Sequence, residues 1–202
     1  MSISLAKTEH PPLVIHFGPY LRKLNDREFF EFCQLNRDLR IERTSEGDVI
    51  VMSPTGSKSG ARDFELAGQF FVWVEKDGTG KAFGSSTGFN LPNGATRSPD
   101  LAWIRNVRWN ALSEEEQEVF APICPDFVVE LRSPSDPLNY VRAKMVEYIE
   151  NGAQLGWLID PHEKKIYIYG PHAEVCCLEN PLTISGEPLL AGFTLNVQRL
   201  WS

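Results

Sequence analysis

Apolar and polar positions alternate over short stretches of this chain and recur at helical spacing over three longer ones. The run LVIHF at residues 13–17 predicts a strand. Residues 24–35 predict a helix, with Asn25 placed to cap it and Phe29, Phe32 and Cys33 on one face. Residues 39–44 and 48–53 alternate on either side of Ser45-Glu46-Gly47, the pattern of a hairpin. A long helix is expected over 56–77, capped by Ser57 or Ser59 and ended by Gly78, with Ala61, Phe64, Ala67, Phe71 and Val74 as its apolar stripe. Short strands follow near 81–84, 87–91 and 101–104, with a turn at Pro92-Asn93-Gly94. Residues 105–125 read as irregular, apart from a short acidic helix that Ser113 and Glu116 open as a capping box.

The pattern sharpens from Asp126 onward. DFVVELR is a nearly continuous apolar strand, broken by Ser133-Pro134-Ser135-Asp136-Pro137. Leu138, Val141, Met145, Tyr148 and Ile149 then form the stripe of a helix over 138–151, stopped by Gly152. LGWLID and KKIYIYG are strands, EVCCLE is a fourth candidate, and NVQRLW reads as a terminal helix. Two Val/Leu/Ile-rich strands flanking one helix imply neighbouring parallel strands joined by a right-handed crossover. The expected fold class is therefore α/β (or α+β), with a mixed sheet.

Composition narrows the function. With 202 residues, 42% hydrophobic and 23% charged, the chain suits one globular domain: an extension over 1–54, a core over 55–170 and a C-terminal part over 171–202. No apolar run reaches the roughly 18–20 residues of a membrane span, and residues 1–18 lack the apolar stretch of a signal peptide, so a cytosolic location is expected. A net charge of −7 argues against a sequence-independent polyanion binder, which carries a basic excess. It leaves room for an enzyme that meets phosphate through a few local cations and a metal ion. Cys33, Cys124, Cys176 and Cys177 form no CxxC pair, and His10, His16, His162 and His172 are scattered, so no zinc site is expected and the cysteines read as small reduced hydrophobes.

The chemistry lies in acids at strand positions. Asp100 opens the strand LAWI, and Glu130 sits within the apolar run FVVEL. A carboxylate in a buried strand is costly unless it is paired, hydrogen-bonded or bound to a metal. Glu130 could simply pair with Arg132, which shares its face, and Asp100 could simply be a turn residue. Lys144 lies at the edge of the stripe on the helix that follows the Glu130 strand, from which it could reach that strand's end or merely snorkel to solvent.

Pro99-Asp100, followed thirty residues later by Glu130-Leu131-Arg132, resembles the signature of the PD-(D/E)XK nuclease superfamily. More closely, SSTGFNLPNGATRSPDLAWI, PDFVVELRSPSD, KMVEYIENGAQLGWLIDP and KKIYIYG resemble the Uma-two family of bacterial restriction-endonuclease-like proteins over roughly residues 55–170. The resemblance implies a restriction-endonuclease-like fold and a metal-dependent endonuclease acting on DNA. Asp100, Glu130 and the Leu131 carbonyl would hold magnesium or manganese, and Glu65 would be the helical acid upstream of Pro-Asp. The position two after Glu130 departs from the pattern, because Arg132 stands where lysine is usual and arginine is a poor general base. Variants of the superfamily move that lysine to the adjacent helix, which points to Lys144 as the residue that assists the water. Arg97, Ser86 and its neighbours Ser85 and Thr87, together with Arg132 and Ser133, are the expected phosphate contacts. Cutting both strands implies a twofold homodimer. The alternatives are a catalytically inactive nucleic-acid-binding or interaction module, or an enzyme acting on another phosphate substrate.

Overall fold

The computed structural model describes residues 12–16 and 23–201. His10, and Phe17 at the end of the expected first strand, lie outside the described residues. The N-terminal elements are β1 (Leu13–Ile15), α1 (Asp26–Leu35), β2 (Arg40–Arg43), β3 (Val49–Met52) and the long helix α2 (Ser57–Asp77). Next come β4 (Gly80–Gly84), β5 (Phe89–Asn90), β6 (Thr96–Arg97), β7 (Leu101–Arg105) and the short helices α3 (Asn106–Trp109) and α4 (Glu114–Gln117). The strand β8 (Phe127–Leu131), helix α5 (Leu138–Glu150) and strand β9 (Leu155–Asp160) form the centre. The chain ends with β10 (Lys165–Tyr169), β11 (Cys176–Glu179), β12 (Thr183–Ser185), β13 (Thr194–Asn196) and a 3-10 turn at Val197–Leu200.

The central sheet runs β11-β10-β9-β8-β7-β4, with β8 and β9 parallel and every other neighbouring pair antiparallel. Its strands are apolar on both faces because both are covered. Ala102, Ile104, Val128 and Leu158 pack with Val141, Met145 and Tyr148 of α5. The alternate residues Leu101, Trp103, Phe127, Val129 and Trp157 pack with Leu66 and Phe70 of α2 and with Phe193 and Leu195 near the C-terminus. This mixed sheet between helical layers is the expected fold class. A second, antiparallel sheet, β1-β3-β2-β6-β5, lies in the N-terminal half and carries the hairpin expected around residues 45–47.

Several local expectations are met through side-chain chemistry. Asn25 caps α1, and Ser113 with Glu116 caps α4, each as a reciprocal box. Others are corrected. The stripe assigned to α2 faces outward: Phe64 is 81% exposed and Phe71 61%, whereas Leu66 and Phe70 are fully buried. Helix α2 is apolar on two faces, and periodicity alone does not say which one meets a sheet. Neither Ser57 nor Ser59 caps it, because the N-cap is Gly56, which has no side chain to do so. Cys176 and Cys177 are both exposed, so the hydrophobic reading of the thiols holds for Cys124 and, in part, for Cys33. The expected terminal helix is a single 3-10 turn, and the β12–β13 hairpin lay unrecognised in the sequence.

Gly156 lets α5 approach β9. A β-carbon there would lie 2.5 Å from the Met145 Cε atom and 3.5 Å from a Val128 methyl group. Gly156→Ala asks only the flexible end of Met145 to move, whereas Gly156→Val overpacks the layer that carries Lys144. The valine variant is expected to lose about 1–3 kcal/mol in chemical denaturation, with the alanine variant less affected.

Candidate active site

Strands β7 and β8 bring two distant acids together. Their antiparallel register pairs Leu101 with Val129 and Ala102 with Val128. One further step along that ladder sets Asp100 across from Glu130, at a spacing where β-carbons on neighbouring strands are typically about 5 Å apart. The Leu131 N–H donates to Asp100 Oδ2 at 2.7 Å and fixes that carboxylate beside the β8 strand end. Asp100 Oδ1 accepts from Arg40 Nη2 at 3.3 Å, and the same nitrogen donates to the Ser98 carbonyl at 2.9 Å.

Glu130 is met from α5. Lys144 and Tyr148 stand one helical turn apart, on the face turned toward β8. The Lys144 ammonium lies 2.8 Å from Glu130 Oε1, and the Tyr148 hydroxyl donates to the same oxygen at 2.9 Å. Glu130 Oε2 has no hydrogen-bond partner among the described residues, and Glu130 lines an open cleft. On its other side Lys144 donates to Glu42 Oε1 at 3.1 Å. Glu42 is fully buried on β2; it also accepts from the Ser98 N–H at 3.0 Å and from Arg97 Nη1 at 3.2 Å. Arg97 in turn donates to Glu147 Oε2 at 2.5 Å. A chain of alternating charge thus runs from the cleft inward through Glu130, Lys144, Glu42, Arg97 and Glu147.

The charges decide the protonation states. The Glu130 carboxyl is raised to about 7, chiefly by burial, which Lys144 opposes and to which repulsion from Asp100 and Glu42 adds. Burial also raises Asp100; Arg40 opposes this and Asp63 reinforces it. For Glu42, burial raises the carboxyl, but Lys144, Arg97 and the Ser98 N–H outweigh burial and hold it below the usual range. Burial alone would lower Lys144, yet Glu130 and Glu42 leave it above the ordinary lysine value. Lys144 is therefore held as a cation between two carboxylates.

The cleft has a volume of about 770 Å³. Of the residues expected there, Asp100, Glu130, Leu131, Lys144, Arg132 and Ser133 line it. Arg132 is braced by Asp160 at 2.9 Å, and the Ser133 hydroxyl donates to Asp136 at 2.7 Å. Glu65, Arg97 and Ser86 are corrections. Glu65 lines a separate groove, where it bonds Arg199 at 2.9 Å and Gln69 at 2.9 Å. The α2 acid in the cleft is Asp63, two residues earlier and therefore turned about 200° around the helix. Burial raises its carboxyl; Arg40 lowers it and Glu130 raises it further. Arg97 is absent from the cleft lining because Glu42 and Glu147 hold it in the interior, and Ser86 lies on an exposed turn. Sequence reasoning missed Asp63, Arg40, Glu42, Lys58, Arg62 and Tyr148. A usable signal existed for Asp63, since it falls on the buried stripe Ser59, Asp63, Leu66, Phe70.

Among the described residues, no three His, Cys, Asp or Glu side chains are grouped so as to hold a metal ion by themselves. What the cleft offers is two adjoining strand carboxylates, a nearby helical one, and strongly anchored cations behind them.

Two outcomes follow from this arrangement. Removing the Glu42 charge strands Lys144 and Arg97, so Glu42→Gln is expected to destabilise the protein by about 3–5 kcal/mol in chemical denaturation. Glu130 has a folded value above its ordinary one, so the folded chain holds the extra proton between them. Its contribution to stability is then expected to fall as pH rises from about 4.5 to about 7 and to level off above that. Thermal midpoints of wild type and Glu130→Gln, followed through that window without divalent ions, should converge at the acid end and part as pH rises.

Residues 26–198 match a family described as "Putative restriction endonuclease", the Uma2 family. Among solved structures, a protein from Anabaena variabilis ATCC 29413, titled a "putative nuclease belonging to DUF820", superposes with a TM-score of 0.71 at 22% identity. The match covers 88% of this chain and 97% of that one, which shows a shared fold. No curated protein matches the chain. Among the described residues, no helix is long and apolar enough to cross a membrane. A family match over most of the length, on a fold that gathers Asp100, Glu130 and Lys144, makes this chain a member of the Uma2 family.

Proposed function

We propose that the protein is a metal-dependent endonuclease that hydrolyses phosphodiester bonds in DNA, working in the cytosol as a homodimer. The observation that carries this reading is the convergence of Asp100 and Glu130 on one open cleft with Lys144 bonded to Glu130. Membership of a family described as restriction endonucleases supports the substrate class.

The residues fit a hard dication better than a transition metal. Three of the cleft carboxylates, Asp63, Asp100 and Glu130, are raised by burial and further by acidic neighbours, so a divalent cation would relieve the repulsion. Magnesium is commonly held by one or two carboxylates, water and substrate phosphate rather than by an all-protein cage, which suits a site with few side-chain ligands. Asp100, Glu130 and the Leu131 carbonyl would hold it, with Asp63 taking the helical role first assigned to Glu65. Bound there, such an ion supplies a more acidic water and neutralises charge on the phosphoryl oxygens. Lys144 keeps Glu130 oriented and adds fixed positive charge, and Tyr148 steadies the same oxygen. Arg40, Arg132, Lys58 and Arg62 line the cleft and give an acidic protein a local basic surface for phosphate. Two centres related by a twofold axis would cut both strands.

A second reading, a nucleic-acid-binding module without catalysis, is favoured by one observation. Arg40 and Lys144 already partner the two strand acids. Arg40 contacts Asp100 at 3.3 Å with a third of its side chain exposed, a loose pair that an incoming ion can displace.

Incubation with supercoiled plasmids of varied sequence and magnesium or manganese separates the readings. Nicked and linear products are expected from wild type and at least a hundredfold less from Asp100→Ala. Intact plasmid across all sequences favours the binding module. Arg40→Ala is expected to bind the metal several-fold more tightly in calorimetry and DNA more weakly, because it removes a cation that serves both. Loss of metal binding in that variant would contradict Arg40 as a competitor.

A further inference from the structure

We propose that the outward face of α2 pairs with α2 of a second copy of this chain, antiparallel across a twofold axis that passes beside Ala67 and Gly68. This rests on the homodimer of the proposed function and names the surface that would form it.

The face is apolar and open. Phe64 is 81% exposed, Phe71 61% and Val72 56%, and Ala61, Ala67 and Gly68 on the same side are exposed as well. A phenylalanine carries about 150–250 Å² of surface, so the two rings alone leave roughly 200–350 Å² of apolar area in water. A patch of that size on a soluble protein marks a contact. The opposite side of α2 already packs on the sheet through Leu66 and Phe70. Gly60 and Gly68 sit inside the helix, where glycine is weaker than alanine. A β-carbon at either position would meet nothing within 4 Å, so the single chain gives no reason for their smallness. The close approach of another backbone does.

The pattern of the face selects a second copy as its occupant. It reads the same from both ends: Phe64 lies three residues before Ala67, and Phe71 three residues after Gly68. A twofold contact sets each residue against its counterpart reflected through the centre. Phe64 of one copy thus comes to Phe71 of the other, while the small residues meet at the crossing. A groove of about 210 Å³, lined by Phe64, Gly68, Val72 and Arg199, lies beside that crossing and offers a socket for a partner's aromatic ring. Charge agrees with this direction. The first turn of α2 carries Lys58 and no acid, whereas its last three residues, Glu75, Lys76 and Asp77, hold two acids and one base. Antiparallel pairing brings the exposed Glu75 to the Lys58 end of the other copy and opposes the two helix dipoles. A standard interface takes about 800 Å² from each partner. The two rings supply about a third of that, and the 21-residue helix extends the contact along roughly 30 Å.

The same axis places two clefts on one assembly. Asp63 lines the cleft from α2 and precedes the centre by about four to five residues, so its two copies fall roughly 14 Å apart along the helix axes. Both cleavage centres then share one helical wall.

Analytical ultracentrifugation of the full chain follows the association. Wild type is expected to sediment as a concentration-dependent dimer. Phe64→Glu and Gly68→Arg should each weaken the dimer by about a hundredfold with circular dichroism unchanged, because both positions are open in the single chain. Glu75→Lys should weaken it several-fold. Gly68→Cys, combined with Cys176→Ser and Cys177→Ser to remove the exposed thiols, should form a disulfide between copies on mild oxidation, since a crossing at this residue brings the two sulfurs together. A chain that stays monomeric, or a dimer that survives Phe64→Glu and Gly68→Arg unchanged, overturns this interface; the first result leaves the face to a different protein. A dimer that yields no cross-link overturns the antiparallel crossing. Manganese binding reads the Asp100 and Glu130 carboxylates and is expected to persist in Phe64→Glu. A wild-type dimer that takes up no manganese counts against the nuclease reading alone, and a monomer that binds manganese and nicks plasmid counts against this interface alone.

Discussion

The site depends on two carboxylates held on facing strands at the rim of an apolar sheet. The β7–β8 register puts Asp100 and Glu130 across from one another, with Ala102 and Val128 as the next buried pair behind them. Two unit charges about 4 Å apart repel by about 4 kcal/mol at an effective dielectric near 20. Burial is the main cause of the raised Glu130 and Asp100 carboxyls, with repulsion from neighbouring acids adding to it, and the two together explain the company these acids keep. Arg40 touches one acid, Lys144 and Tyr148 touch the other, and the Leu131 N–H donates to Asp100. The fold holds charge of one sign at the rim by burying charge of the other sign just behind it.

The second layer of charge ties the N-terminal hairpin to the site. Glu42 on β2 joins Lys144 and Arg97, and its strand neighbour Arg40, two residues away, reaches Asp100. A hairpin that reads in sequence as an extension is thus part of the site's electrostatics. Because Lys144 lies between two carboxylates, it is held in place and held charged, which suits the role proposed for it of orienting Glu130 and adding fixed positive charge. The overall charge of −7 is no obstacle to meeting a polyanion when Arg40, Lys58, Arg62 and Arg132 are drawn into one cleft.

What could be read from the sequence was whatever rested on local pattern. The run FVVEL, the stop at Gly152 and the stripe Val141, Met145, Tyr148 located β8 and α5, and a charged residue inside an apolar strand marked Glu130. The failures arose where tertiary packing chose between equal local options. Helix α2 has two apolar faces, and choosing the outer one carried Glu65 into the site and left Asp63 out. Arg97 looked like a loop cation available to phosphate, but a buried Glu42 that no periodicity reveals had already claimed it. Arg40 and Glu42 alternate along a strand like any solvent-facing pair, and only the packing of β2 against β6 and α5 turns that face inward.

The central claim is that Asp100 and Glu130 together capture a hard divalent cation. Electron paramagnetic resonance of added manganese measures this without reference to any substrate. Wild type should take up close to one ion per chain at the site, magnesium should compete for it, and Asp100→Asn and Glu130→Gln should each lose most of the affinity. Manganese that stays free with wild type, or binds equally well to both variants, would contradict the account and leave the architecture without its chemistry.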